Sequence, residues 1–194
     1  MKPIIIDNFL EEEPFNALTD LICNTKSMFS WVHGQYHNPQ TRGHYFFTHV
    51  FYVNGLQNSP HLSVLQNFVE KIKTIEGPKE QVKMYKEKKD QRKNWTMDGG
   101  IIKSILRVRA NLFVNTPNNI QEYAMHTDYP FSHSAAVLSL NTCDGYTGIE
   151  DEDGQITKVD SVANRVVLYD AGKNHCSTTT SDANARFNII VNFL

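Results

Sequence analysis

The segment YAMHTDYPF holds a histidine and an aspartate two residues apart, His126 and Asp128. In extended backbone, residues i and i+2 project from one face. This imidazole and carboxylate can therefore take two neighbouring corners of a metal's coordination sphere, while Thr127 points away. The pair alone decides little, because a His-x-Asp arises readily by chance in a chain with eight histidines, and polar residues at a strand end account for it too. His175, in LYDAGKNHCSTTT, is the third candidate ligand, far enough downstream for the chain to return across a barrel. Two histidines and a carboxylate on one face of an octahedron leave the opposite positions open, as for iron(II) in oxygen-activating sites.

Arg186 opens the run RFNIIVNFL. Strand alternation puts Arg186 and Asn188 on one face and Phe187, Ile189 and Val191 on the other. An interior arginine is costly unless paired, and a dicarboxylic co-substrate would supply a bidentate, charge-assisted partner. The alternative is an arginine at a strand end paired with Asp or Glu. No Gly-x-Ser-x-Gly elbow, glycine-rich phosphate loop or His-Glu-x-x-His helix competes with this set.

Other polar residues are candidates for substrate contact. Arg107, Arg109 and Asn111 alternate with Leu106, Val108, Ala110 and Leu112, giving a polar face suited to a substrate cleft or to water. His133 lies in a loop just after Asp128, placed to contact substrate or to serve no role. His33, His37, His44, His49 and His61 are irregularly spaced and read as solvated or hydrogen-bonded. Residues 79–94, KEQVKMYKEKKDQRKN, hold seven basic and three acidic side chains, read as a solvated helix, a lid or a contact for an acidic polymer. The aromatics Trp31, Tyr36, Tyr45, Phe46, Phe47, Phe51 and Tyr52 read mostly as core.

The elements that must carry these residues change character near residue 95. Before it the chain reads mainly helical, so residues 1–100 are expected to support a core built from residues 101–194. Glu11, Glu12, Glu13 and Pro14 suit the first turn of a helix whose stripe is Phe15, Leu18, Leu21 and Ile22. A second helix is predicted over residues 61–75, where Leu62, Leu65, Phe68, Val69 and Ile72 recur before Gly77-Pro78 ends it. The second half supplies strands at IIKSILRVRANLFV, SAAVLSL, QITKV, RVVLY and RFNIIVNFL. Turn residues separate them, as in Asp144-Gly145 and Asp153-Gly154. Closely spaced strands without intervening helices imply an antiparallel α+β, mainly β arrangement: a jelly-roll or barrel backed by the N-terminal helices.

The 194 residues suit one domain with a real core, at 40% hydrophobic and 21% charged. A formal charge of -2 gives no global attraction to nucleic acid or to an anionic membrane. Cys23, Cys143 and Cys176 are too scattered for a disulfide framework or thiolate zinc site, so a cytoplasmic setting is expected, host cytoplasm included. The opening MKPIIIDNFLEEEPF is too short in apolar residues for a signal or a membrane span.

The order His126-x-Asp128, His175, Arg186 resembles the double-stranded β-helix dioxygenases that use iron(II) and 2-oxoglutarate, especially the prolyl-4-hydroxylase-like group. Tyr123 before the histidine, the strand at residues 135–140 and the segment GYTGIEDEDG agree with that resemblance. Thr147-Gly148-Ile149-Glu150 stands where the family has a Gly-Gly-Glu-type motif and keeps one of the two glycines. RVVLYDAGKNH resembles the strand and turn leading to the distal histidine, and IIIDNFLEEEPFNAL the family's usual opening. The resemblance implies a double-stranded β-helix and iron(II) held by His126, Asp128 and His175. It implies that Arg186 binds the far carboxylate of 2-oxoglutarate, with Asn188 and Tyr123 as supporting groups. It further implies hydroxylation of a C–H bond with oxygen as co-substrate and release of succinate and carbon dioxide. A prolyl or other protein side chain is the first substrate expected, a nucleobase or small metabolite the second, with Arg109, Asn111 and His133 as candidate contacts. A non-catalytic jelly-roll module holding zinc or nothing is the reading from another class.

Overall fold

The computed structural model describes residues 2–35, 45–75 and 104–194. The basic run 79–94 lies outside the described residues, as do Tyr36, His37, His44 and Gly77-Pro78. In chain order the elements are β1 (Ile4–Ile6), α1 (Glu12–Ile22), β2 (Val32–Gln35), β3 (Tyr45–Val53), β4 (Leu56–Gln57), a 3-10 turn (Leu62–Leu65) and α2 (Gln66–Lys73). Then follow β5 (Ile105–Val114), β6 (Ser134–Ser139), β7 (Tyr146–Glu150), β8 (Ile156–Asp160), β9 (Val166–Asp170), β10 (His175–Ser177) and β11 (Ala185–Phe193).

The strands form two antiparallel sheets. The larger runs β1-β9-β6-β11-β5-β3-β2, with β4 paired to β3, and the smaller runs β10-β7-β8. Alternation along the strands feeds two apolar layers. Val137, Val167, Tyr169 and Ile190 of the large sheet meet Ile149 and Val159 of the small one between the sheets. The opposite face of the large sheet, with Leu138, Val166, Ile189, Val191 and Phe193, is covered by Leu18 and Ile22 of α1 and Phe68 and Ile72 of α2. This is a jelly-roll backed by N-terminal helices. Where the two sheets pack on each other, a polar side chain pointing between them must find a partner there.

Helix α1 begins as its acidic first turn requires, with Glu12 and Glu13 at the positive end of the helix dipole. The apolar run in residues 61–75 divides into a 3-10 turn and an eight-residue α-helix. A tight first turn is common at a helix start. The clearest departure from the expected helical first half is β3, nine residues long and hydrogen-bonded to both β2 and β5. Its register on β5 shifts between Val50 and Tyr52. A bulge reverses which residues face inward, so YFFTHVFYV shows no clean alternation although its aromatic and β-branched content is that of a strand.

Phe68 is fully buried and meets Phe9 edge to face at 6.0 Å. Phe68→Ala is expected to cost about 3–5 kcal/mol, read as a lower denaturant midpoint at unchanged slope. An unshifted midpoint would mean that α2 does not anchor the sheet.

Candidate metal centre

The chain ahead of Asp128 runs beside β10. Glu122 bridges Thr178, the Tyr123 N–H donates to the Ser177 carbonyl at 2.9 Å, and His126 exchanges both backbone hydrogen bonds with His175, at 3.0 and 2.9 Å. Directly opposed residues of an antiparallel pair project on one face with Cβ atoms about 5 Å apart. The two imidazoles accordingly lie 4.6 Å apart, centroid to centroid. Asp128 adds its carboxylate, Oδ2 standing 3.8 Å from His175 Nε2. One ligand atom from each of the three residues falls within 4.8 Å of the others.

Both rings are oriented by backbone. His126 Nδ1 donates to the Ala124 carbonyl at 3.1 Å and His175 Nδ1 to the Lys173 carbonyl at 3.2 Å. A carbonyl only accepts, so the hydrogen sits on Nδ1 and the Nε2 lone pair is left for a metal. Burial holds both imidazoles below the usual histidine range, and for His175 burial and the neighbouring His126 bring the value to about 4. Burial works against ionisation of Asp128. The guanidiniums of Arg109 and Arg107, with His175 and Asn192, outweigh it and hold the carboxyl well below its usual range. At neutral pH the set is two neutral imidazoles and one carboxylate, the protonation a divalent ion needs.

Asp128 is fixed in turn by β5 and β11. Its Oδ1 accepts from Arg107 Nη2 at 2.6 Å and meets Arg109 Nη2 at 3.5 Å, while Oδ2 accepts from Asn192 Nδ2 at 2.8 Å. Arg107 Nε donates to Asn192 Oδ1 at 3.2 Å, closing the ring. Arg107 and Asn192 can do this because they are cross-strand partners. Alternation then lays out the rest of the wall in register: Ile190 opposite Arg109, Asn188 opposite Asn111, Arg186 opposite Phe113.

From these rows Arg109, Asn111, Phe113, Asn188 and Ile190 line an open pocket that also touches His126, His175, Thr147, Tyr169 and Val137. Arg186 lies behind it, 1% exposed. Its Nη2 donates to Thr147 Oγ1 at 2.8 Å and its Nη1 to the Thr178 carbonyl at 3.2 Å, and its guanidinium sits 5.3 Å from the centre of the Phe113 ring. Gly145 is required by this packing, since a Cβ there would stand 2.6 Å from the Thr179 carbonyl oxygen and 2.7 Å from Arg186 Cδ. Asn111 Nδ2 donates to Asn188 Oδ1 at 2.9 Å, while Asn111 Oδ1 is buried without a hydrogen-bond partner. Such an orphan costs about 1–3 kcal/mol, and its place on the pocket wall fits a site made for a polar guest.

Of the residues singled out from the sequence, His126, Asp128 and His175 converge, and Arg109, Asn111 and Asn188 line the pocket. Tyr123 sits one layer back: its hydroxyl donates to the Tyr45 carbonyl at 2.8 Å and its ring packs with Phe46 and Phe113. His133 is buried off the pocket wall, its Nδ1 donating to the Phe131 carbonyl at 2.9 Å. Asn192 and Thr147 escaped the sequence reading. Asn192 was within reach of it, because the face carrying Arg186 and Asn188 continues to Asn192; the contacts of Thr147 depend on how the sheets meet.

No protein-family model matches the sequence, and no curated protein does. Solved structures do match. A Burkholderia pseudomallei oxidoreductase of the 2OG-Fe(II) oxygenase family aligns at TM-score 0.67 and 13% identity, over 98% of this chain and 84% of its own. A Pseudomonas putida prolyl-4-hydroxylase aligns at TM-score 0.62 and 13% identity, over 98% and 91%. A Trichoplax adhaerens prolyl hydroxylase, solved with a peptide fragment of the hypoxia inducible factor oxygen degradation domain, aligns at 0.64 and 14%, over 99% and 83%. This chain therefore has the double-stranded β-helix fold of those proteins.

Two outcomes are expected. Between pH 6.5 and about 4, unfolded His175 binds a proton that the folded residue refuses. The metal-free protein then loses stability on acidification, by about 1.4 kcal/mol per pH unit for this group. Thermal melts across that window should show the loss, and His175→Gln should reduce it while leaving the part due to His126; a flat profile in the parent protein would contradict a buried neutral imidazole. Asn192→Ala should weaken cobalt(II) binding by about 10–100-fold, read from ligand-field absorption. Unchanged affinity would leave Asn192 without a part in holding Asp128.

Proposed function

We propose that the chain is an iron(II)- and 2-oxoglutarate-dependent dioxygenase that hydroxylates a C–H bond. One observation carries the reading: three ligand residues converge at one end of a pocket, and the buried cation Arg186 stands behind Thr147 at the other. When bound, iron(II) with 2-oxoglutarate and oxygen supplies the oxidation, converting a C–H bond to an alcohol while 2-oxoglutarate becomes succinate and carbon dioxide.

The protein's share is position and exclusion of water. His126 and His175 offer Nε2, and Asp128 offers a carboxylate oxygen held in place by Arg107 and Asn192. Arg186, with Thr147 beside it, receives the far carboxylate of the co-substrate by a charge-assisted contact. Asn188 and Asn111 fill the polar wall between these ends, and Tyr123 supports them through Phe113. Tyr169, Val137 and Ile190 form the apolar side. A bare metal-binding jelly-roll has no use for a buried arginine at this depth.

A protein or peptide side chain is the substrate class to test first, prolyl included. Support comes from the fold shared with two prolyl hydroxylases, one of them holding a peptide. A small metabolite or nucleobase is the second class. Three free cysteines accord with work in a reducing cytoplasm.

Anaerobic addition of iron(II) and 2-oxoglutarate is expected to raise the visible charge-transfer band of the chelate, and oxygen should then yield succinate. Absence of both in folded protein would end the proposal. His175→Ala should abolish metal retention, and Arg186→Ala should weaken 2-oxoglutarate binding with metal retained. Full co-substrate affinity in the Arg186 variant would refute that assignment.

A further inference from the structure

Arg186 stands behind the pocket wall and does not form it. The side chain is 1% exposed, its Nη1 donates to the Thr178 carbonyl at 3.2 Å, its Nη2 donates to Thr147 Oγ1 at 2.8 Å, and its guanidinium lies over the Phe113 ring. The wall in front of it comes from the small sheet. Thr147 of β7 and Ser177 of β10 are directly opposed in the register of those strands, and both line the pocket. Alternation brings them there together, since the next opposed pair, Gly148 and Cys176, faces the other side of the sheet.

A hydroxyl has one hydrogen to give and two lone pairs. Thr147 Oγ1 accepts from Arg186 with a lone pair, so its own hydrogen is directed elsewhere, and among the described residues no acceptor meets it. The Ser177 hydroxyl likewise has no hydrogen-bond partner among the described residues. Two hydroxyl donors side by side suit a guest that only accepts. A carboxylate is such a guest, with two oxygens and no hydrogen to offer. The guanidinium behind Thr147 makes its hydroxyl a stronger donor, because hydrogen bonds in a chain polarise one another in a site shielded from water.

We infer that the hydroxyls of Thr147 and Ser177 are the groups that touch the far carboxylate of 2-oxoglutarate, and that Arg186 is a positioning residue whose charge acts through the Thr147 hydroxyl. The inference rests on the proposed oxygenase reading and assigns the contact atoms of its co-substrate subsite. Selectivity for a dicarboxylate then lies with one opposed pair of the small sheet. Without those hydroxyls Arg186 keeps its place but is sealed behind the wall, and the carboxylate loses its donors.

The test uses the whole chain loaded with zinc(II), with dissociation constants read by isothermal titration calorimetry. The probes are 2-oxoglutarate and 2-oxopentanoate, which has the same five carbons with a methyl in place of the far carboxylate. The parent protein is expected to favour 2-oxoglutarate by about 100-fold or more, since two hydrogen bonds to a charged group are at stake. Thr147→Val, which keeps the branched shape and removes the hydroxyl, should cut that preference by about 10–100-fold and leave 2-oxopentanoate affinity unchanged. Thr147→Ser should restore most of it, and Ser177→Ala should cut it by about tenfold. Adding Arg186→Met to Thr147→Val should change the preference by less than about threefold more, as expected of two residues acting through one contact. Zinc content is measured in each variant, so that a lost metal is not mistaken for a lost subsite. Full preference retained in both Thr147→Val and Ser177→Ala would overturn the inference and return the contact to the guanidinium, as would an undiminished effect of Arg186→Met in the Thr147→Val background. Failure of the underlying reading shows separately, as a parent protein that does not distinguish the two probes.

Discussion

The site depends on one backbone pairing, the reciprocal hydrogen bonds between His126 and His175. Each residue gives its N–H and its carbonyl to the other, so two segments remote in sequence are locked in register at the point where both carry an imidazole. A slip of one residue in either segment would turn a ligand to the opposite face. The same pairing leaves both Nδ1 atoms near carbonyls two residues back in their own segments, which sets the tautomer without a second side chain. Asp128 follows two residues later and needs only an extended backbone to join them.

Around that pairing the large sheet divides its labour by alternation. On β11, Phe187, Ile189, Val191 and Phe193 serve the layer under the helices, while Arg186, Asn188, Ile190 and Asn192 serve the site. β5 does the same with Val108 and Ala110 against Arg107, Arg109, Asn111 and Phe113. Charges placed on an inner face must be compensated, because a buried ion stripped of a partner costs several kcal/mol. Asp128 finds Arg107 and Asn192 across a single row of the sheet; Arg186 finds Thr147, the Thr178 carbonyl and the Phe113 ring. These bonds fix the geometry of the polar groups before any ligand arrives, the condition for a preorganised centre.

The shared fold with oxygenases at 13–14% identity illustrates how little of a sequence a jelly-roll prescribes. Apolar alternation and turns suffice for the sheets, and many residue choices supply them. Function has to be argued from the site, and here the site is the convergence of His126, Asp128 and His175 beside the buried Arg186.

Local pattern was enough to mark the strands β5, β6, β8, β9 and β11, the helix α1 and the inward faces of β5 and β11, because period and turn chemistry are short-range properties of a chain. The two-residue spacing of His126 and Asp128, the later His175 and the face shared by Arg186 and Asn188 also singled out the candidate ligands and the arginine, although strand-end polar residues would explain each of them locally. β3 was hidden by its bulge and by aromatic residues that suit a core helix or a strand equally well. Tertiary structure decided what distance along the chain conceals: that His175 returns opposite His126, that Arg107 reaches the carboxylate of Asp128, that Thr147 meets Arg186, and that Tyr123 and His133 stand a layer behind the pocket. Those outcomes follow from which strands pair and how two sheets face each other, and such long-range register is a sum over many contacts that no single residue encodes.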